Sequence, residues 1–177
     1  MQRSSTKLEP YRLTNVDRVW SASDRSCCSW LGHGILDLVT TGSNAIDEGL
    51  TALAHSQMPL TGLLELGIIG GDAAEVRARC SWAAERCTAD GVLHGGFLMA
   101  MADSVGAMAA IFNLPDGAIT STIESKTNFI RGVTEGDLDI VATPIHVGRT
   151  TIVVQTDISR CTDGKLVTRT TQTQAIM

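Results

Sequence analysis

From residue 44 onward the chain alternates apolar and polar positions with readable periods. "SNAIDEGLTALAHSQ" carries Ile46, Leu50 and Leu53 at helical spacing, acids in its first turn and a Ser43 or Asn44 cap, which predicts a short amphipathic helix. In "LLELGIIGGDAAEVRARCSW", Val76, Ala78, Cys80 and Trp82 alternate with Glu75, Arg77 and Arg79, the period of a half-buried strand with "GGD" as its turn. Residues 94–112 then read as one long helix, stopped at "NLPDG", where Pro115 forbids continuation and Gly117 supplies a turn. After it the period becomes two. "AITSTIESKTNFI" sets Ile119, Ser121, Ile123 and Phe129 on one face, "DLDIVATPIHV" turns at "VGR" into "TTIVVQTDIS", and "TDGK" is a hairpin signal into "LVTRTTQTQAIM".

One strand, one long apolar helix and four further strands in a row predict an α+β arrangement, a curved antiparallel sheet around a central helix. Helix 94–112 is apolar nearly all round, so it is expected to be buried on more than one side, by the sheet and by a second subunit. Residues 1–43 mix charges, Ser and Thr around Trp20 and Trp30 and end in a loop composition. They are read as an N-terminal extension whose structure the pattern does not define, ahead of a domain over residues 44–177.

The 177 residues, 44% hydrophobic and 19% charged, suit one globular domain plus that extension. A net charge of -5 gives no basic field, which argues against nucleic acid or an anionic membrane surface as partner. The five cysteines (Cys27, Cys28, Cys80, Cys87, Cys161) lack CxxC spacing and the four histidines (His33, His55, His94, His146) are scattered, so neither a disulfide framework nor a metal site is expected. No apolar run is long enough to span a membrane, and the N-terminus lacks a signal-peptide stretch; a cytoplasmic protein is the expectation.

Candidate chemistry sits in "GVLHGGFLMAMADSVGAMAA", where an apolar helix carries a single carboxylate, Asp103. Burying a lone carboxylate is costly, so Asp103 must be paired, protonated or placed at a wet cleft; a structural acid reaching solvent at a subunit boundary satisfies the same pattern. At the other end of the helix, His94-Gly95-Gly96 offers backbone amides and the positive end of the helix dipole, a place for an anion or a developing oxyanion, or simply a tight turn. Asp103 lies eight residues beyond Gly95. At ~1.5 Å per residue the two are ~12 Å apart, too far to act on one carbonyl. If both act, the carboxylate must come from a second copy of the helix packed antiparallel alongside.

This stretch, together with "ITSTIESKTNFIRGVTEGDLDIVATPIHVGRTTIVVQTDISRCTDGKLVTRTTQTQ", resembles the hotdog-fold acyl-CoA thioesterases, in particular their PaaI-like (phenylacetate-pathway type) branch, over roughly residues 59–177. The resemblance implies a helix wrapped by an antiparallel sheet, a homodimer as minimal unit or a tetramer, and hydrolysis of an acyl-CoA thioester with no cofactor and no metal. Position by position, it implies Asp103 as the catalytic carboxylate, nucleophile or general base, and the Gly95 N–H as the donor to the thioester carbonyl. It also implies Ser121 as a strand residue placing the attacking water, with His94 and Gly96 at the helix mouth. Thr88 stands where the branch commonly has Asn or Gln, and Gly132 where it often has Pro.

The phosphates of CoA call for cations at a pocket mouth, and Arg131 and Arg149, near strand ends, are the candidates. Phe97, Met101 and Met108 are candidates to line an acyl chamber, or are simply core. A thiolate leaves readily, so one carboxylate and oriented donors suffice without a Ser-His-Asp relay. "ADSVG" around Ser104 lacks the first glycine of GxSxG and lies inside a helix, and Gly32-His33-Gly34 lacks the rest of a dinucleotide fingerprint. The alternative of another class is a non-catalytic acyl-CoA-binding or regulatory hotdog protein, with Thr88 in its favour. A hydratase has no signature here.

Overall fold

The computed structural model describes residues 44–177, so the extension over residues 1–43 lies outside the described residues. The first helix, α1, runs Glu48–Gln57 and is capped by Asp47, whose carboxylate accepts from the Leu50 N–H at 2.9 Å. The cap therefore falls later than Ser43 or Asn44. The Asp47 N–H is drawn to the Ile68 carbonyl at 2.7 Å, and Ile46, ahead of the helix, lies against Gly67. A short α2, Pro59–Leu63, starts on its proline, where the missing N–H costs no helical bond.

Two strands precede the long helix, where the pattern predicted one. β1 (Gly67–Gly71) includes the glycines read as a turn, and it pairs antiparallel with β2 (Val76–Ser81). The turn itself is made by Asp72, whose carboxylate accepts from the N–H groups of Ala74 and Glu75. In β2 the inward residues are Val76, Ala78 and Cys80, as the alternation requires.

The long helix α3 spans Gly95–Ile111, and β3 (Thr120–Phe129), β4 (Asp137–Val147), β5 (Thr151–Arg160) and β6 (Leu166–Ile176) follow. All pairings are antiparallel, in the order β1-β2-β4-β5-β6-β3. β4, β5 and β6 form a meander, but β3 does not precede it in space: β4 is already paired with β2, and β3 attaches beyond β6. The sheet wraps α3, which touches β2 through β6. Leu98, Met101, Val105 and Met108 of α3 pack on Ile140, Val154 and the rest of a single core. This is the α+β, helix-in-sheet architecture that the pattern predicted.

β3 is left at an open sheet edge. Its exposed side chains include Ile123 and Phe129, with Ile130 just beyond, each about half exposed or more. A long unpaired edge that carries exposed apolar side chains is a surface that proteins normally cover. Among the described residues, no helix is long and apolar enough to cross a membrane.

Candidate active site

The α3 N-terminus is built by its cap. His94 is extended (φ -67°, ψ 133°), and its Nδ1 accepts from the Gly96 N–H at 2.9 Å. In the neutral ring this places the proton on Nε2 of an exposed residue. The N–H groups of Phe97 and Leu98 turn back to the His94 carbonyl, while the Gly95 N–H has no acceptor among the described residues. One of the helix's orphan donors thus stays open at the positive end of the dipole. A Cβ at Gly95 would sit 3.1 Å from the Phe129 ring, so the glycine lets the edge strand close on the helix mouth.

Behind the mouth lies a buried cation that the sequence reading missed. The Arg86 carbonyl accepts from the His94 N–H at 2.9 Å; its guanidinium pairs with Glu65 at 2.6 Å and lies over the Phe97 ring. Arg86 is nearly fully buried, so these partners compensate its desolvation and lock the residue that holds His94. A hollow of about 440 Å³ opens here, lined by Leu63, Glu65, Arg86, His94 and Phe97 among others.

Asp103, two turns further along α3, is half-buried and faces the β3–β6 side. Its Oδ1 accepts from the Thr122 hydroxyl at 3.3 Å, and the Gln172 amide donates to its backbone carbonyl at 3.2 Å, with Oδ1 at 3.5 Å. Gln172 is fully buried and reaches the helix only because residue 106 is glycine: a Cβ there would lie 2.3 Å from Gln172 Oε1. Thr168, Thr170, Gln172 and Gln174, all buried, make the helix-facing side of β6 polar. The hydroxyl of Ser125 and that of Thr168 have no hydrogen-bond partner among the described residues, nor does Gln172 Oε1.

Ser121 is not on this side. Thr120 and Thr122 both engage Gln174 on the helix side, so the intervening Ser121 points to the opposite face and is exposed. The cause is a β-bulge. Thr122 pairs with Gln174 and Glu124 with Thr173, leaving Ile123 as an extra residue. Beyond it Thr127 bonds Thr170 and Phe129 meets Gly95, so the inward phase switches from even to odd numbers. The expected single face through Ile119, Ser121, Ile123 and Phe129 is therefore broken in its middle.

The remaining candidates divide between the two ends of the sheet. Thr88 lies in the loop leading to the helix mouth, where its N–H bonds the Val92 carbonyl at 2.8 Å; its exposed hydroxyl makes no hydrogen bond among the described residues. Arg131 lies at the same end and anchors one guanidinium nitrogen on the Leu166 carbonyl at 2.6 Å. Arg149 is exposed in the β4–β5 turn beside the C-terminal end of β6, the opposite end. Met101 is wholly core and Met108 borders a separate apolar cavity of about 140 Å³ under α1, so of the three chamber candidates only Phe97 lines the hollow at the mouth.

A family model described as the thioesterase superfamily matches residues 90–167. A putative esterase of Haemophilus influenzae is 39% identical over 76 residues, 43% of this chain and 54% of that protein. The proofreading thioesterase EntH of Cronobacter sakazakii is 36% identical over 59 residues, 33% of this chain and 43% of its own. The chain thus spans about half the length of the curated relatives it matches. Among solved structures, a point variant of a Pseudomonas aeruginosa thioesterase superposes with TM-score 0.67 at 26% identity, over 74% of this chain and 94% of that one. A thioesterase from Haemophilus influenzae superposes with TM-score 0.68 at 26% identity, over 77% and 92% respectively.

Proposed function

We propose that this chain, which matches the thioesterase superfamily over residues 90–167 and shares the fold of solved thioesterases, hydrolyses the thioester of an acyl-CoA at a site completed by a second copy of itself. The observation that carries the proposal is the separation of two unfinished groups. The Gly95 N–H lacks an acceptor, and the Asp103 carboxylate keeps one oxygen without a hydrogen bond among the described residues. They lie ~12 Å apart along one helix. Pairing two copies through the open β3 edge would cover Ile123, Phe129 and Ile130 and set their α3 helices antiparallel, bringing each Asp103 toward the other copy's Gly95. A tetramer would be two such dimers.

In this reading the thioester carbonyl oxygen accepts from the Gly95 N–H, which strengthens as negative charge develops on it. Asp103 takes a proton from water as the water oxygen bonds to the carbonyl carbon. Collapse of the tetrahedral adduct breaks the C–S bond, and the CoA thiolate leaves with the proton that Asp103 held. Direct attack by Asp103, giving an anhydride that water then opens, uses the same geometry. In a single turnover in ¹⁸O-water, opening of that anhydride at the Asp103 carboxyl carbon places label in Asp103, which the general-base route never does. His94 and Thr88 stand exposed near the helix mouth, and the Gly96 N–H is occupied in holding His94. Arg131 at one end and the second copy's Arg149 from the other would bind CoA phosphates. The reaction needs no cofactor, and a cytoplasmic location would give access to CoA esters.

The test is thiol release across a panel of acyl-CoA esters, with Asp103→Asn and Asp103→Ala beside the parent. Both variants are expected to keep the dimer and lose activity by about a thousandfold or more. Full activity in Asp103→Ala would remove the carboxylate from the reaction. The free Thr88 hydroxyl favours one other reading, an acyl-CoA binder, for which the parent would bind the panel without releasing thiol.

A further inference from the structure

We propose that Thr122, oriented by Gln174, is a positioning residue that ties down one oxygen of Asp103 and leaves the other as the reacting atom. This rests on the reading of Asp103 as the catalytic carboxylate. Thr122 Oγ1 lies 2.8 Å from Gln174 Nε2 and 3.3 Å from Asp103 Oδ1. A hydroxyl has one proton to give, and the ionised carboxylate is a stronger acceptor than an amide oxygen. The proton goes to Asp103. Gln174 must then present its NH₂ to Thr122, while its carbonyl lies 3.1 Å from the Thr120 hydroxyl, which also has the Ala175 carbonyl at 2.9 Å. Gln174 is all but fully buried, so a mis-oriented amide finds no water to correct it.

The chain of donors runs Gln174 to Thr122 to Asp103, in one direction. Gln172 adds a second donor on the same side, toward the Asp103 backbone carbonyl and Oδ1. Oδ1 is thus enclosed by two donors, whereas Oδ2 accepts from no described residue. Donors at one oxygen restrain rotation of the carboxylate, so the lone pairs of Oδ2 keep a preferred bearing on the substrate. The bulge at Ile123 is what turns Thr122, rather than its neighbour Ser121, toward the carboxylate.

Steady-state kinetics on the full chain, with thermal unfolding alongside, test the relay using Thr122→Val, Thr122→Ser, Gln174→Glu and the Thr122→Val/Gln174→Glu double variant. Thr122→Val should lower kcat about tenfold to a hundredfold with KM little changed, the loss of one hydrogen bond to a charged group. Thr122→Ser keeps the proton and should restore most of the rate. Gln174→Glu presents only acceptors, turns the hydroxyl away from Asp103 and should lower kcat similarly, with no added loss in the double variant. If the buried charge prevents folding, the contrast between Thr122→Val and Thr122→Ser carries the test, and equal parental kcat in both overturns the relay. Parental kcat in both Thr122→Val and the Gln174 variant, with Asp103→Ala inactive, would overturn the relay and leave the carboxylate's role standing. Strictly additive losses, or a loss confined to KM, would also overturn it. Activity in Asp103→Ala would instead remove the reading beneath it.

Discussion

Replacing Gly95 by proline separates the Gly95 N–H from everything else at the helix mouth. Gly95 is the first residue of α3, where proline's fixed φ suits the helix and its missing N–H breaks no helical bond. The preceding residue also allows it: His94, at φ -67° and ψ 133°, already has the extended conformation that a following proline demands. The cost is steric. A Cβ at this position lies 3.1 Å from two atoms of the Phe129 ring, which must give by a few tenths of an ångström. Gly95→Ala introduces the same Cβ and keeps the N–H, so it is the matched control. Overpacking should cost each variant ~1–3 kcal/mol of stability. Loss of the donor should cost the proline protein alone a further ~10²–10³ in kcat, about 2.7–4 kcal/mol of transition-state stabilisation. Thiol release by the two proteins, with matched unfolding curves, reads the difference. Equal kcat in folded Gly95→Pro and Gly95→Ala would refute the assignment of the N–H as the carbonyl donor.

Gly106→Ala places a Cβ 2.3 Å from Gln172 Oε1, so it should force that amide out of its seat, lower the unfolding free energy by ~1–3 kcal/mol and reduce kcat, whereas Gly106→Ala in a Gln172→Ala background should recover most of the stability, both read by denaturant unfolding. The β5–β6 hairpin should weaken in acid. Hydrogen bonds from Arg160, then from Lys165, outweigh desolvation and lower the Asp163 carboxyl to about 2. Because the folded value lies below the unfolded one, its stabilisation is complete above pH ~4 and is lost as the pH falls toward ~2. Asp163→Asn should remove that part of the acid sensitivity, seen as a shallower fall of thermal stability over this range.

Some of this was legible in one dimension and some was not. A lone acid in an apolar helix and a glycine pair behind a histidine are local signals, so Asp103, Gly95 and the extent of α3 stand out in the string itself. The alternation Val76, Ala78, Cys80 likewise marks an inward face directly. The position of β3 is not local: it depends on β2 having already taken the open side of β4. Nor is the bulge at Ile123, which switches the inward phase and puts Thr122 where counting by twos put Ser121. Gln172 and Gln174 look like surface residues of a polar strand until β6 is seen to run between β5 and β3 and under the helix. Arg86 was hidden for the same reason, since a charge within a short turn reads as exposed until Glu65 and Phe97 close over it.

The central claim is that each reaction centre takes its carboxylate from one chain and its amide from another. Mixing Asp103→Ala chains with Gly95→Pro chains, under conditions that let subunits exchange, tests it without reference to any structure. Half of the dimers are then mixed, and each of these holds one intact centre beside one doubly defective one. Thiol release should recover to about a quarter of the parental rate, although each variant alone runs at about a hundredth of it or less. A mixture no more active than its two components, with exchange verified by native mass spectrometry, would contradict the account.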